Sequence, residues 1–256
     1  MTGEHLRLER GEDGVARLTL DRPPLNVLHI PMLRELDAAL GEIAEDREAK
    51  LLLITGEGKA FCAGVDVADH TAERVEFMLE IFHGALRRLL GLELPVVAAV
   101  NGAALGGGCE LVLACDLVIA SASAKLGQPE IQLGVFPPVA AALLPRLIGR
   151  QRALDLILTG RVIGAEEARD IGLVSRVAPA DGFANAVEEY VGDLAALSRP
   201  VLRLTKSVTL EGMELPAAQA LERAEAAYLN ELMRLEDPHE GLAAFMEKRE
   251  PVWKDA

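Results

Sequence analysis

Apolar and polar residues alternate along Val15 to Leu20, with Ala16, Leu18 and Leu20 on one side and Arg17 and Thr19 on the other. That period of two predicts a strand, and Asp21-Arg22-Pro23-Pro24 closes it because proline has no N–H for a ladder. From Pro31 the period lengthens. Leu33, Leu36, Leu40 and Ile43 share one helical face, with Glu35, Asp37 and Glu42 off it. Leu51 to Ile54 predicts a short buried strand, and Val75, Met78, Leu79, Phe82, Leu86 and Leu89 a long helix facing the core. Strands follow at Val96 to Val100 and Leu117 to Ala120, then helices at Val139 to Leu144, Arg150 to Leu158 and Gly164 to Ile171, and a strand at Leu173 to Val177. Beyond Gly182 the pattern is helical to the end, punctuated by Pro200, Pro216 and Pro238. Strands alternate with helices early and helices dominate late, so the expected class is α/β with a helical C-terminal part. The expected division is a core over residues 1–197 and a helical region over 198–256.

Composition adds limits to this picture. Half of the 256 residues are apolar, which allows a sizeable core without disulfides. Cys62, Cys109 and Cys115 give an odd count with no C-x-x-C spacing, as expected of a reducing compartment. There is no charged-plus-apolar leader and no apolar run of transmembrane length, so a cytoplasmic protein without a membrane partner is expected. Forty acidic against 26 basic residues leave a formal charge of −14, which disfavours a nucleic-acid partner. His5, His29, His70, His83 and His239 are scattered without ligand spacing, so no metal site is expected. The fragment Gly56-Glu57-Gly58-Lys59 lacks the spacing and the following Ser/Thr of a phosphate loop.

The candidate chemistry lies in Asn101 to Asp116, NGAALGGGCELVLACD, where three glycines separate an expected strand from an expected helix. Glycines there serve either tight helix–sheet packing or the approach of a ligand to bare backbone. The first amides of a helix lack internal partners and suit a group that becomes negative, and Glu110 follows in the first turn. A second glutamate, Glu130, is fixed behind Gln128 and Pro129 in KLGQPEIQLG. The loop AFCAGVDVAD repeats the strand–small residue–glycine theme and exposes an amide at Val65. Two such loops can offer two N–H donors to one oxygen while carboxylates move protons beside it.

AFCAGVDV, AVNGAALGGGCELVLACDLVIA and KLGQPEIQLGVFP, in that order and spacing, resemble the crotonase superfamily of enoyl-CoA hydratases and isomerases, and GLVSRV and AFMEKREPVW match later landmarks. The resemblance implies a spiral of ββα units and a C-terminal helical region that builds homotrimers, often paired into homohexamers. It implies an acyl-CoA thioester as substrate and no separate cofactor, coenzyme A being part of the substrate. By motif it makes the amides of Val65 and Gly107 an oxyanion hole and Glu110 and Glu130 the catalytic pair. Leu25, Ala63, Gly64, Asp66 and Val67, with Gly106, Pro129 and Pro138, are the implied substrate contacts. Isomerases of the superfamily usually lack one glutamate, so retention of both implies a hydratase. Lys59, Lys125, Lys206 and Lys248 are candidate cations for the coenzyme phosphates.

A narrower resemblance runs through RPPLNVLHI, GQPEIQLGVFPP and YLNELMRLEDPHEGLAAFMEKREPVWK, to the cyclohexa-1,5-diene-1-carbonyl-CoA hydratases of anaerobic aromatic degradation. Pro138 stands where common fatty-acyl hydratases use a glycine whose N–H helps hold water. A proline there either withdraws that amide or only starts a helix at its first position. The leading expectation is hydration of a cyclic dienoyl-CoA. The alternatives are a general 2-enoyl-CoA hydratase, an enoyl-CoA isomerase, and a non-catalytic family member that binds CoA or RNA.

Overall fold

The structure, a computed structural model, describes residues 3–256. Its long sheet has six strands in the order β1 (Leu6–Arg10), β2 (Val15–Leu20), β3 (Leu51–Gly56), β5 (Val96–Val100), β7 (Leu117–Ser121) and β10 (Arg176–Ala178). Only β1 and β2 pair antiparallel, Leu6 facing Leu20; the rest of the ladder is parallel. A second sheet has four strands of three residues each, β4 (Ala60–Cys62), β6 (Ala103–Leu105), β8 (Lys125–Gly127) and β9 (Val162–Gly164). The chain steps from a long strand to a short one and then into helix: β3–β4 leads to α2 (Val75–Leu90), β5–β6 to α3 (Gly107–Leu113), and β7–β8 to α4 (Pro138–Ile148) and α5 (Arg150–Thr159). These repeated ββα turns form the expected spiral, preceded by α1 (Ile30–Glu45).

The long sheet is covered on both faces, which is why its strands read as apolar runs. Leu18, Leu52, Ile54, Ala98 and Val100 belong to the main core with α1 and α2 residues such as Leu36, Leu40, Phe82 and Leu86. The alternate residues Val15, Leu51, Leu53, Val97 and Ile119 pack with Val187, Tyr190 and Val191, which lie on α7 (Phe183–Ala195). The expected strand over residues 173–177 begins later, at Arg176. The amides of Leu173 and Val174 instead donate to the Ala168 carbonyl at 2.8 and 3.2 Å, closing the end of α6 (Ala165–Asp170).

The C-terminal helices are α8 (Arg199–Met213), α9 (Ala217–Asn230) and α10 (Asp237–Glu247). Pro200 and Pro238 sit in first turns and Pro216 at an N-cap, positions where a missing N–H costs little. The chain end is lashed down: buried Asp237 accepts from the amides of Lys254 at 2.7 Å and Asp255 at 3.1 Å, and Trp253 Nε1 donates to Ala196 O at 2.7 Å. Large apolar side chains stay open on these helices, among them Met213, Tyr228, Leu229 and Phe245. Among the described residues no helix is long and apolar enough to cross a membrane.

Candidate active site

The glycine triplet is where three segments meet, and each glycine is demanded by a different neighbour. Gly106 caps α3 with φ +53°, and a Cβ on it would fall 2.7 Å from Glu130 Oε1. A Cβ on Gly107 would fall 2.6 Å from Val65 Cγ2 and 3.4 Å from the Val65 nitrogen; one on Gly108 would strike the Cys62 carbonyl at 2.0 Å. The triplet therefore brings Glu130, the Val65 loop and strand β4 onto the start of α3.

Val65 is held in register by an isolated parallel bridge to Leu28. Leu28 N donates to Gly64 O at 2.9 Å and Asp66 N to Leu28 O at 2.8 Å. In such a bridge the intervening residue turns its own N–H to the opposite side, so the Val65 amide faces away from Leu28. Gly107 is the first residue of α3, where a helix has no internal acceptor for the amide. Two N–H groups thus border one small space, the arrangement that suits an oxygen gaining negative charge. Gly64, at φ +123°, makes the bend that carries the chain there.

Glu110 lies on the first turn of α3 and is only 3% exposed. Its Oε1 accepts from Val139 N at 2.8 Å and Ala140 N at 3.0 Å, the two amides that follow Pro138 at the start of α4. Burial pushes its carboxyl up to about 7, and the neighbouring Glu130 adds to the rise, while the two amides oppose it. A carboxyl near 7 is poised to take a proton at neutral pH. Glu130 stands on the 3-10 turn Pro129–Leu133 and is half-buried. Burial raises it too, opposed by its own backbone amide and by the charge of His70. The Gln128 amide, oriented to satisfy its surroundings, donates from Nε2 to both Glu130 oxygens at 3.2 Å.

The remaining expected contacts form the rim. Leu25 is exposed and its carbonyl accepts from Ala63 N at 2.9 Å. Asp66 caps the 3-10 turn Val67–His70 through Oδ1 to Ala68 N at 3.1 Å, and Val67 projects into solvent. Pro138 is the first residue of α4, the helix-starting position, and the amides beyond it are engaged by Glu110. Of the candidate cations, Lys206 turns inward: its Nζ pairs with Asp116 at 2.7 Å and donates to Leu94 O at 3.0 Å. Cys62 and Cys109 are buried, their thiols pushed up to about 12 by that burial, so neither is a ready nucleophile. Among the described residues no group of three or more His, Cys, Asp or Glu is placed to hold a metal ion.

Sequence reasoning missed Asn26 and Gln128 as builders of this site. Asn26 is fully buried at φ +52°, and its Nδ2 donates to the carbonyls of Glu57, Ala60 and Phe61 at 3.0, 2.8 and 3.2 Å. It ties the Leu25–Leu28 segment to β4 and so sets the height of the Val65 loop. The asparagine after Pro-Pro-Leu is a turn signal that can be read for this. A cavity of about 1170 Å³ lies between the far end of α3, α4 and the C-terminal helices, lined by Leu113, Leu147, Val201 and Trp253 among others, and neither Glu110 nor Glu130 lines it.

Comparison with known proteins decides the kinship. The family model for enoyl-CoA hydratase/isomerase matches residues 10–256. The chain belongs to the enoyl-CoA hydratase/isomerase family. A probable enoyl-CoA hydratase of Rhizobium meliloti is 42% identical over 246 residues, covering 94% of each chain. A cyclohexa-1,5-dienecarbonyl-CoA hydratase of Thauera aromatica is 38% identical over 248 residues, covering 97% of this chain and 95% of that one. The crystal structure of an enoyl-CoA hydratase from Bacillus anthracis superposes with a TM-score of 0.93 at 36% identity, covering 99% of this chain and all of that one. The protein is thus a carbon–oxygen lyase of the enoyl-CoA hydratase type, with the crotonase fold.

Proposed function

We propose that the protein adds water across the conjugated double bond of an unsaturated acyl-CoA, and that its preferred acyl group is a cyclic dienoyl ring. The observation that carries the hydratase reading is the meeting of Glu110, Glu130 and the Val65 and Gly107 amides at the glycine triplet. The thioester oxygen sits between the two amides, which stabilise the enolate by about 3–4 kcal/mol each by analogy with oxyanion-hole deletions. Glu110, near 7 and fixed by two amides, takes the proton from water. Glu130 delivers a proton to carbon. The reaction needs the pair to carry one proton between them, one member ionised and the other not.

The ring preference is supported by the Thauera relative and by the apolar run Val139 to Leu143 that follows Pro137-Pro138. Proline at the first position of α4 offers no third amide beside Glu110, so water is held by carboxylates and by the shape of the substrate. A flat ring restricts that water more than a thin two-carbon tail does. The competing reading, a straight-chain 2-enoyl-CoA hydratase, draws on the Rhizobium relative and on the ordinary helix-starting role open to Pro138. The test is kcat/KM for cyclohexa-1,5-diene-1-carbonyl-CoA against crotonyl-CoA on one preparation. A better rate with crotonyl-CoA rejects the ring and keeps the hydratase.

The proposed assembly is a homotrimer or a pair of trimers, supported by the exposed apolar side chains of α8 to α10. Deleting Leu215 onward should give an aggregated product, and a soluble, active monomer in light scattering would count against assembly.

A further inference from the structure

Val67, Ala68 and every residue from His70 to Arg74 are exposed, whereas Asp69 between them is buried, with 4% of its surface open. A carboxylate is costly to bury unless hydrogen bonds and opposite charge offset the lost water. Asp69 Oδ2 accepts from Ile30 N at 3.0 Å, and Oδ1 accepts from Arg74 Nη1 at 2.9 Å. Ile30 is the first residue of α1, a helix of 16 residues. Among the described residues, its N-cap His29 makes no side-chain cap bond and its first turn holds no acidic group. Asp69 therefore caps α1 from a segment 39 positions away, at the helix end that favours negative charge.

That cap bears on the site because Asp69 follows the Val65 loop directly. Its turn is a closed unit: Asp69 N donates to Asp66 O at 3.0 Å and Ala68 N to Asp66 Oδ1 at 3.1 Å. Two backbone bonds, Leu28 N to Gly64 O and Asp66 N to Leu28 O, hold the near side of the loop. The bond from Ile30 N to Asp69 holds the far side to the same segment. Residues 28–30 thus clip residues 64–69, with Val65 inside the clip. A bridge of one residue pair resists sliding weakly, and the exposed side chains of the turn bury little apolar surface to help it.

We propose that Asp69 is a positioning residue for the oxyanion hole: its carboxylate seats the Val65 loop on the start of α1 and so fixes the Val65 amide relative to that of Gly107. The inference rests on the reading of those two amides as the site of the thioester oxygen. A shift of about 1 Å in a group that must meet the transition state can cost about 10²-fold in rate. The donor acts most strongly on the enolate, whose oxygen carries more charge than that of the thioester, so its displacement reads in kcat more than in KM.

The test compares Asp69→Ala and Asp69→Asn with the wild type. Asparagine keeps an oxygen for Ile30 N and loses only the charge, whereas alanine loses both. D69A should lower kcat by about 10–100-fold with KM within about 3-fold, and D69N should keep kcat within about 3-fold of wild type. The direct readout is the ¹³C NMR signal of a bound saturated acyl-CoA labelled at its thioester carbonyl, which moves downfield as N–H donors polarise the bond. It should lie downfield of the free compound in wild type and D69N, and return toward the free value in D69A. A loss of stability alone does not move this signal in folded, saturated protein. Should D69A fail to fold, Ile30→Pro removes the donated N–H from the other side, at a first helical position that tolerates proline, and should move the carbonyl likewise. A wild-type carbonyl signal or an undiminished kcat in either folded variant overturns the proposal. A wild-type complex whose carbonyl matches the free compound overturns the two-amide reading, and this inference with it.

Discussion

Glu110 and Glu130 are the same side chain in two unlike settings. Glu110 is fixed on a helix, nearly sealed from water, with one oxygen between the first free amides of α4. Glu130 rides a short 3-10 turn, half-open, with the Gln128 amide across both its oxygens. Burial raises both. The difference lies in what opposes the rise: two fixed peptide dipoles for Glu110, and for Glu130 its own amide with a smaller part from the charge of His70. A base that must hold one water in one direction gains from the rigid frame. A group that must reach a carbon atom in a varying substrate gains from the looser one.

Removing either carboxylate breaks the comparison most severely. Glu110→Gln and Glu130→Gln keep shape and lose the proton-transfer group, so each should lower kcat by about 10²–10⁴-fold. Near-full turnover in either variant would remove that residue from the mechanism. Gly107→Ala comes next, because its new methyl would press within 2.6 Å of Val65 Cγ2 and part the two amides. A loss of about 10²-fold in kcat, with both glutamates intact, is expected for a displaced oxyanion donor. An Ala variant as fast as wild type would show that Val65 yields without harm.

The buried setting of Glu110 also predicts a stability effect of opposite sign to the activity effect. A carboxyl raised to about 7 in the folded state, against its ordinary value of 4.5, binds more protons folded than unfolded between those values. Its contribution to stability is therefore present in acid and lost as pH rises through about 7. Glu110→Gln, neutral at every pH and still able to accept from the two amides, should be more stable than wild type above that point, on the order of 2 kcal/mol. Denaturant titrations at several pH values read this directly; a variant less stable than wild type in alkali would deny the burial penalty. The smallest effect is expected from Gln128→Leu, which removes the donor to Glu130 and should lower kcat by about 10-fold or less. A larger loss than in Glu130→Gln would mean that Gln128 has a role of its own.

What was legible in the sequence follows the length and regularity of each signal. The long strands and helices α1 and α2 show their periods over many residues, and the glycine triplet with Glu110 stands between two of them. Strands β4, β6, β8 and β9 have three residues each, too few to show a period, so the second sheet is invisible until the chain is folded. Val65 could be expected from its glycine bend, whereas its register partner Leu28 lies 37 positions earlier and leaves no local trace. Pro138 shows the limit in the other direction. Its missing N–H is plain in the sequence, but only the fold reveals that the two amides after it hold Glu110. Gln128 reads as an ordinary polar residue because its tie to Glu130 depends on a side-chain orientation that no spacing reveals.

The division of labour between the two glutamates can be measured without hydration. A saturated acyl-CoA carries the α-proton that Glu130 is assigned to move and has no double bond for water to attack. Exchange of that proton with D₂O, followed by NMR, isolates one carboxylate from the other. Glu110→Gln should exchange within about 10-fold of wild type, and Glu130→Gln should lose about 10²-fold or more, the span of a positioned acid–base group. Exchange that survives loss of Glu130 and vanishes with loss of Glu110 would reverse the assignment and contradict the account.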